Sequence, residues 1–341
     1  MGTTYADAGV HMEAEGDAID AIVSEVKKIL LFRKGKVGES LTGIGHFAGL
    51  IRISRSRAIA LSTDGVGSKI IIAELLGKYD TIGIDLVAMN ANDIICVGAE
   101  PLTLVDYLAM EKPDPKITKE IAKGLVKGAE TARTSISGGE LATMPEVIKG
   151  LDLAGFMIGI VNIDRIVTGE RIAPGDVLVA LESSGIHSNG LTLARKVLLE
   201  RYHVHTNLDG IVIGEELLRP TKIYVREVME VLKRADVKGL ANITGGGLGN
   251  LTRITKYGFI IDQLPEPQPI FKLIQREGQV SEFEMYRTFN MGVGFCIIVS
   301  RKDLGDVVSA CEKYGTKAWE LGKVVLGEGV RIKGKNFVMK Y

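Results

Sequence analysis

Residues 80–99 read DTIGIDLVAMNANDIICVGA, and this stretch limits the fold more than any other. It has helical spacing and is apolar almost all round, with Asp85, Asn90, Asn92 and Asp93 as its polar exceptions. A helix apolar on every side is a buried one, so other layers must enclose it. Bare carboxylates are costly in such surroundings unless they are paired or coordinate a cation. Asp93 is therefore either a partner in an ion pair or a metal ligand.

The flanking segments supply those layers. Residues 15–32 have an amphipathic helical pattern, with Ile19, Ile22, Val23, Val26, Ile29 and Leu30 on one face. A polar, glycine-rich loop follows over 33–49. The segment LIRISRSRAIALST gives two short strands around a basic turn. GSKIIIAELLGK is a helix, PLTLVDYLAM a strand, ITKEIAKGLVKGAETAR a helix, TSISGGE a strand entering a turn, and LDLAGFMIGIV a buried strand. The second half repeats this mixed grammar. It has a helix at NGLTLARKVLLER capped by Ser188 or Asn189, and a helix over PTKIYVREVMEVLKRA opened by its proline. The strand pattern breaks over 165–174, which predicts an α+β protein of two mixed α/β domains, 1–168 and 169–341. A length of 341 residues suits two domains.

Lys+Arg and Asp+Glu both number 42, so no net field draws nucleic acid or an anionic membrane. No apolar run reaches the ~18 residues of a membrane span, and no basic start leads into an apolar segment. Cys96, Cys296 and Cys311 are sparse, odd in number and without CxxC spacing. They fit reduced, buried thiols in a cytoplasmic protein.

Two glycine motifs are decoys. GIGHFA (43–48) matches a dinucleotide fingerprint, but a polar loop precedes it and a strand follows. GVGSK lacks the upstream glycine of a Walker loop. The carboxylates carry more. Asp64 ends a strand in STDGVGSK, Asp93 lies in the apolar helix, and Glu140 follows Gly138-Gly139. Singly, each reads as a surface acid or a salt bridge to Lys69 or Arg133. Together they point to Mg²⁺, which takes carboxylate and phosphate oxygens, with Lys69 as a point charge for phosphate. In the second half, SSGIHSNG (183–190) puts His187, Ser188 and Asn189 before a helix, a place suited to anions and proton transfer. Thr244, Gly245, Gly246 and Gly247 precede another helix. The alternative for these glycines is a connector that only relieves backbone strain.

Taken in order, YADAGV, STDGVGSK, TIGIDLVAMNANDI, GAEPLTLVDY, GGELATMP, SSGIHSNG, RPTKIYV, ITGGGLGN and EMYRTFNMGVG resemble the aminoimidazole ribonucleotide synthetase (phosphoribosylformylglycinamidine cyclo-ligase) family. The resemblance runs from Tyr5 to Trp319. It implies an ATP- and Mg²⁺-dependent enzyme of de novo purine synthesis, which closes the imidazole ring of formylglycinamidine ribonucleotide and releases ADP and phosphate. It further implies a homodimer in which the N-terminal domains pair into a strand barrel, with ATP held near the interface. On these residues it assigns Asp64, Asp93 and Glu140 to metal, and Gly43, Gly45, Thr63, Asp64, Lys69 and Asp93 to the nucleotide. Ser188, Asn189 and Thr244–Gly247 go to substrate, and His187 and Lys69 to catalysis. The chain departs from the family at His46, Ala48, Leu141 and Asn242. The runner-up is a relative of the same architecture. The amidine-forming synthetase of the preceding purine step has a Glu-x-His pair absent here, and selenophosphate synthetase has an N-terminal reactive cysteine absent here. A nucleotide-binding regulatory dimer is the reading from a different class.

Overall fold

The computed structural model describes residues 2–10 and 12–339. The helix α1 (Met12–Val26) passes into a 3-10 turn (Lys27–Arg33), so the expected 15–32 helix is present but changes pitch partway. Its apolar residues Ile19, Ile22, Ile29 and Phe32 are more than half exposed. Their periodicity predicted a helix correctly, but among the described residues none covers this face.

The first sheet contains β1 (Gly49–Arg52), β2 (Arg57–Gly65), β3 (Glu100–Met110), β4 (Ser135–Thr143) and β5 (Leu151–Asn162), in the order β1-β2-β5-β3-β4. Neighbours are antiparallel except β3 and β4. The helices α2 (Lys69–Leu76), α3 (Ile82–Ile95) and α4 (Pro115–Ala132) belong to the same unit. Alternation is clearest in β2 and β5. Ala58, Ala60, Leu104, Leu153 and Met157 are buried on the helix-covered face, while Val105, Tyr107 and Phe156 on the other face are 38–41% exposed. The segment TSISGGE does not turn as expected. It continues as β4 through Gly138-Gly139-Glu140, because β3 holds it in parallel register.

The second sheet is formed by β6 (Val177–Glu182), β9 (Val237–Asn242), β10 (Gly258–Ile261), β11 (Val293–Val299), β12 (Ala318–Val325), β13 (Val330–Ile332) and β14 (Val338–Met339). Its order is β14-β13-β10-β12-β6-β11-β9. A minor hairpin pairs β7 (Asn207–Leu208) with β8 (Ile211–Val212). Its helices are α5 (Leu191–Leu199), α6 (Ile213–Leu217), α7 (Val225–Arg234), α8 (Pro269–Gly278), α9 (Glu282–Thr288) and α10 (Leu304–Glu312). Two helix starts differ from expectation. Left-handed Gly190, not Ser188 or Asn189, precedes α5. The helix after Pro220 begins only at Val225, because residues 220–224 run across α3. Among the described residues no helix is long and apolar enough to cross a membrane.

α3 is the helix that the sequence required to be enclosed. Leu86, Val87, Ile94 and Ile95 are fully buried. It approaches α4 so closely that a Cβ on Gly83 would lie 2.3 Å from the Leu125 nitrogen. Its polar residues Asp85, Asn92 and Asp93 bond to the second unit. Asn92 Nδ2 donates to Lys222 O (2.9 Å), and Tyr224 N donates to Asn92 Oδ1 (3.0 Å). Asp85 Oδ1 accepts from Lys69 Nζ (2.8 Å), Thr221 N (2.7 Å), Thr221 Oγ1 (2.6 Å) and Ser188 Oγ (3.2 Å). Lys69 Nζ also donates to Arg219 O at 2.5 Å. Both ions are wholly buried. Burial pulls the Lys69 pKa below its ordinary value, and the Asp85 charge opposes that pull.

Removing one partner leaves the other charged and buried. Asp85→Ala is therefore expected to lower unfolding stability in urea by about 3–5 kcal/mol. Replacing the pair together, as Lys69→Met with Asp85→Leu, should recover more than half of that loss. A single variant with unchanged denaturation midpoint would show that the pair holds nothing together.

Candidate active site

The two units meet along a seam, and the predicted site residues divide between its lining and other places. Asp64 stands near the end of β2, with its Oδ1 accepting from Gly65 N at 2.7 Å. Asn90 Nδ2 from α3 lies 3.4 Å from the Asp64 carbonyl. One turn further along α3, Asp93 Oδ1 accepts from Asn242 Nδ2 at 2.9 Å. Asp93 therefore meets the second unit through the position where the chain departs from the family. Burial raises the Asp93 pKa to about 7; the Asn242 hydrogen bond opposes the shift and the nearby Asp64 charge adds to it. Burial also raises the Asp64 pKa. Burial disfavours the charge of both carboxylates; at Asp93 the Asp64 charge adds to this and the Arg253 charge opposes it.

Strand parity separates Glu140 and Thr63 from this pair. Asp64, Gly155, Asp106 and Gly139 lie in one registered row across β2, β5, β3 and β4, so they share the helix-covered face. Glu140 is registered with Tyr107 on the open face. Thr63 pairs with Phe156 there and donates to Gly155 O at 3.0 Å. Within one chain, the expected trio Asp64, Asp93 and Glu140 is therefore not assembled. Among the described residues no three His, Cys, Asp or Glu side chains form a metal-sized group. Asp106 was missed. Its signal was its place in LVDY on a strand beside the glycine pair. A Cβ on Gly139 would come within 2.4 Å of Asp106 Oδ1, so Gly138-Gly139 makes room for a carboxylate and is not a turn.

Three further expectations are corrected. Lys69 cannot serve as a phosphate charge in this arrangement, because its ammonium is buried on Asp85. The Ser188 hydroxyl is committed to the same knot through Asp85 and Thr221. His187 is buried in a left-handed conformation, φ 66°, and its Nε2 accepts from Ser184 N at 3.2 Å. Burial and the Lys69 and Lys222 charges lower its pKa to about 3. It is a neutral acceptor that shapes the turn, not a proton shuttle near neutral pH.

The structure does bring together the two turns expected to hold substrate. A Cβ on Gly245 would stand 3.3 Å from Asn189 Oδ1. Asn250, another missed residue, binds the turn from within, donating from Nδ2 to Gly245 O (3.0 Å) and Gly247 O (2.9 Å). Gly246 and Gly247 have φ of 93° and 56°, so their glycines serve backbone geometry. The Gly247 amide donates to Thr244 O at 3.0 Å, which removes it as an anion donor. The glycine loop lies over the seam. Gly43 and Gly45 are exposed, with open space where a side chain would project. Beside them His46 has two buried, unpartnered ring nitrogens and a pKa lowered by burial, then by Arg253, to about 4.

These histidines set an acid limit. Native pKa values of about 4 for His46 and about 3 for His187 lie below the ordinary 6.5. The unfolded chain therefore binds more protons through that window, and stability falls as pH drops from 6.5 toward 3. The melting temperature should decline over this interval more steeply in the wild type than in His46→Gln. Identical declines would remove His46 from the account.

Comparison with known proteins gives the family. Residues 45–161 match the family described as AIR synthase related protein, N-terminal domain, and residues 173–335 match its C-terminal domain. The phosphoribosylformylglycinamidine cyclo-ligase of Pyrococcus furiosus is 48% identical over 338 residues, covering 99% of both chains. That of Methanothermobacter thermautotrophicus is 50% identical over 327 residues, covering 94% of both. In fold, the complex of AaThiL with AMPPCP and TMP superposes with a TM-score of 0.67 at 16% identity, covering 95% of this chain and 94% of that one. With both halves matched and identity near one half over the full length, the chain belongs to the AIR synthase-related family.

Proposed function

We propose that this protein is a phosphoribosylformylglycinamidine cyclo-ligase, using ATP to close the imidazole ring of formylglycinamidine ribonucleotide in the cytoplasm. The observation that carries the reading is the placement of Asp64 and Asp93 at the seam, between an open glycine loop and two facing substrate turns. The near-full-length identity to cyclo-ligases supports it.

The residues present fit a nucleotide with Mg²⁺. All-oxygen donors suit a hard cation that also takes phosphate oxygens, and a cation would offset the burial that, with the Asp64 charge added, lifts the Asp93 pKa. Asp64 and Asp93 would hold the metal, and the backbone at Gly43 and Gly45 would approach the phosphates. When bound, ATP supplies the phosphoryl group that makes the formyl oxygen able to leave. The chain's own contribution is alignment and exclusion of water. Asn242 orients the Asp93 carboxylate, Asn189 and the Thr244–Gly245 backbone bind substrate, and the Lys69–Asp85 knot fixes the distance between the two halves.

The open face of the first sheet supports the homodimer. Ile59, Leu61, Val105, Tyr107, Phe156 and Ile158 present a contiguous apolar surface that two copies would cover by facing one another. Thr63 and Glu140 share that face, so pairing would bring them to the interface.

Phosphate release should require formylglycinamidine ribonucleotide, and ¹⁸O in its formyl group should appear in inorganic phosphate by mass spectrometry. Label recovered only in water would overturn the reading. Asp93→Asn should cut turnover by at least about 100-fold, the loss typical on removing one charge-stabilising group, while the melting temperature changes little. Full turnover in this variant would take Asp93 off the metal. Light scattering should give twice the 36.8 kDa chain mass, and Phe156→Glu should halve it. A monomeric wild type would rule out the face-to-face dimer.

A further inference from the structure

Arg253 fastens the glycine loop to the opposite unit. Arg253 ends the 3-10 turn Gly247–Arg253, which begins in the Thr-Gly-Gly-Gly substrate turn. Its guanidinium carbon lies 4.1 Å from the centre of the Phe47 ring. Its Nε donates to Gly45 O at 3.3 Å, and its Nη2 donates to His46 O at 3.2 Å. A planar guanidinium can stack on a ring and donate at its edge at the same time, which a lysine ammonium cannot do.

The other end of this turn is equally constrained. Asn250 ties it back to Gly245 and Gly247, and a Cβ on Gly247 would sit 2.0 Å from Tyr286 O. A short turn anchored through its own interior moves as a body. A ligand that shifts Gly245 must therefore carry Arg253 with it. The loop setting is also held against an opposing cost. Both His46 nitrogens are buried without partners, and unsatisfied buried polar atoms favour release. By contrast Phe47 and Ala48 are buried, so the loop has a fixed root and an exposed rim at Gly43 and Ile44.

We propose that Arg253 is a positioning residue that couples occupancy of the Thr244–Gly247 turn by the phosphoribosyl substrate to the setting of the nucleotide loop at 43–48. The proposal rests on the cyclo-ligase reading for the identity of the two ligands, while the contact between turn and loop stands apart from it. Coupling of this kind is reciprocal: substrate tightens nucleotide, and nucleotide tightens substrate by the same factor. It makes the loop close over ATP only when the molecule to be activated is in place.

The test uses full-length protein, AMPPCP as the nucleotide probe and formylglycinamidine ribonucleotide as substrate, with titration calorimetry and amide hydrogen exchange. In the wild type, substrate should tighten AMPPCP binding about fivefold or more, the lower range of such couplings. Arg253→Met should weaken AMPPCP about tenfold, bring the coupling to within about twofold of none, and speed exchange at 43–48. Arg253→Lys should fall between them. If Arg253→Met does not fold, Phe47→Leu, which keeps apolar volume but removes the ring face, should show the same loss of coupling. AMPPCP affinity, coupling and loop exchange all unchanged in Arg253→Met or Phe47→Leu would overturn the proposal. A wild type that releases no phosphate with the substrate, alongside faster loop exchange in Arg253→Met, would remove the cyclo-ligase reading and support the arginine's hold on the loop.

Discussion

Everything at the seam depends on one buried ion pair. Lys69 and Asp85 are both fully enclosed; the Lys69 ammonium and Asp85 Oδ1 are bonded by groups from the other unit, the Arg219 carbonyl, the Thr221 amide and hydroxyl and Ser188, while Asp85 Oδ2 is buried without a partner. Each half of the molecule would bury an unsatisfied charge or amide without the other. Apolar packing alone lets two units slide, because it has little directionality. A charge that needs donors at fixed places does not. The knot therefore sets the register in which the carboxylates of the first unit face the turns of the second.

α3 serves both sides of that arrangement. Its apolar residues pack within the first unit, and Asp85, Asn92 and Asp93 bond successive segments of the second at Thr221, Tyr224 and Asn242. Asp85 and Asn92 have a structural role, whereas Asp93 lies beside Asp64 and carries a strained charge. One helix thus fixes the domain geometry and presents a metal-ready group. Asp93 is carried by α3 and Asp64 by β2, and burial of the helix is the first cause of the raised Asp93 pKa.

Much of the fold was legible. The periodicity of the first sheet, the buried run of α3 and the alternation of strands and helices in the second half all appear where the residues place them. The departures have local causes. Gly138-Gly139 looked like a turn because glycines usually mark one, but the neighbouring strand and the Asp106 carboxylate use their lack of side chains. Pro220 looked like a helix start, but the Thr221 and Tyr224 amides donate to Asp85 and Asn92 of α3, and the helix begins only at Val225. Lys69 sits beside a glycine pair as a phosphate-binding lysine would, and only the position of Asp85 shows where its charge is spent.

The sequence by itself determined which elements form, that α3 must be enclosed, and to which family the motifs belong, because these follow from periodicity, burial and residue order. Tertiary structure alone decided which polar groups meet. Asp64 and Glu140 end on opposite faces because strand parity is counted across paired registers, and no register is written in a single strand. Asp93 meets Asn242, Asp85 meets Thr221 and Phe47 meets Arg253 across the seam, between residues more than a hundred positions apart. Hydrogen bonds and charge pairing act over a few ångströms, so their partners are chosen only once the two units have docked.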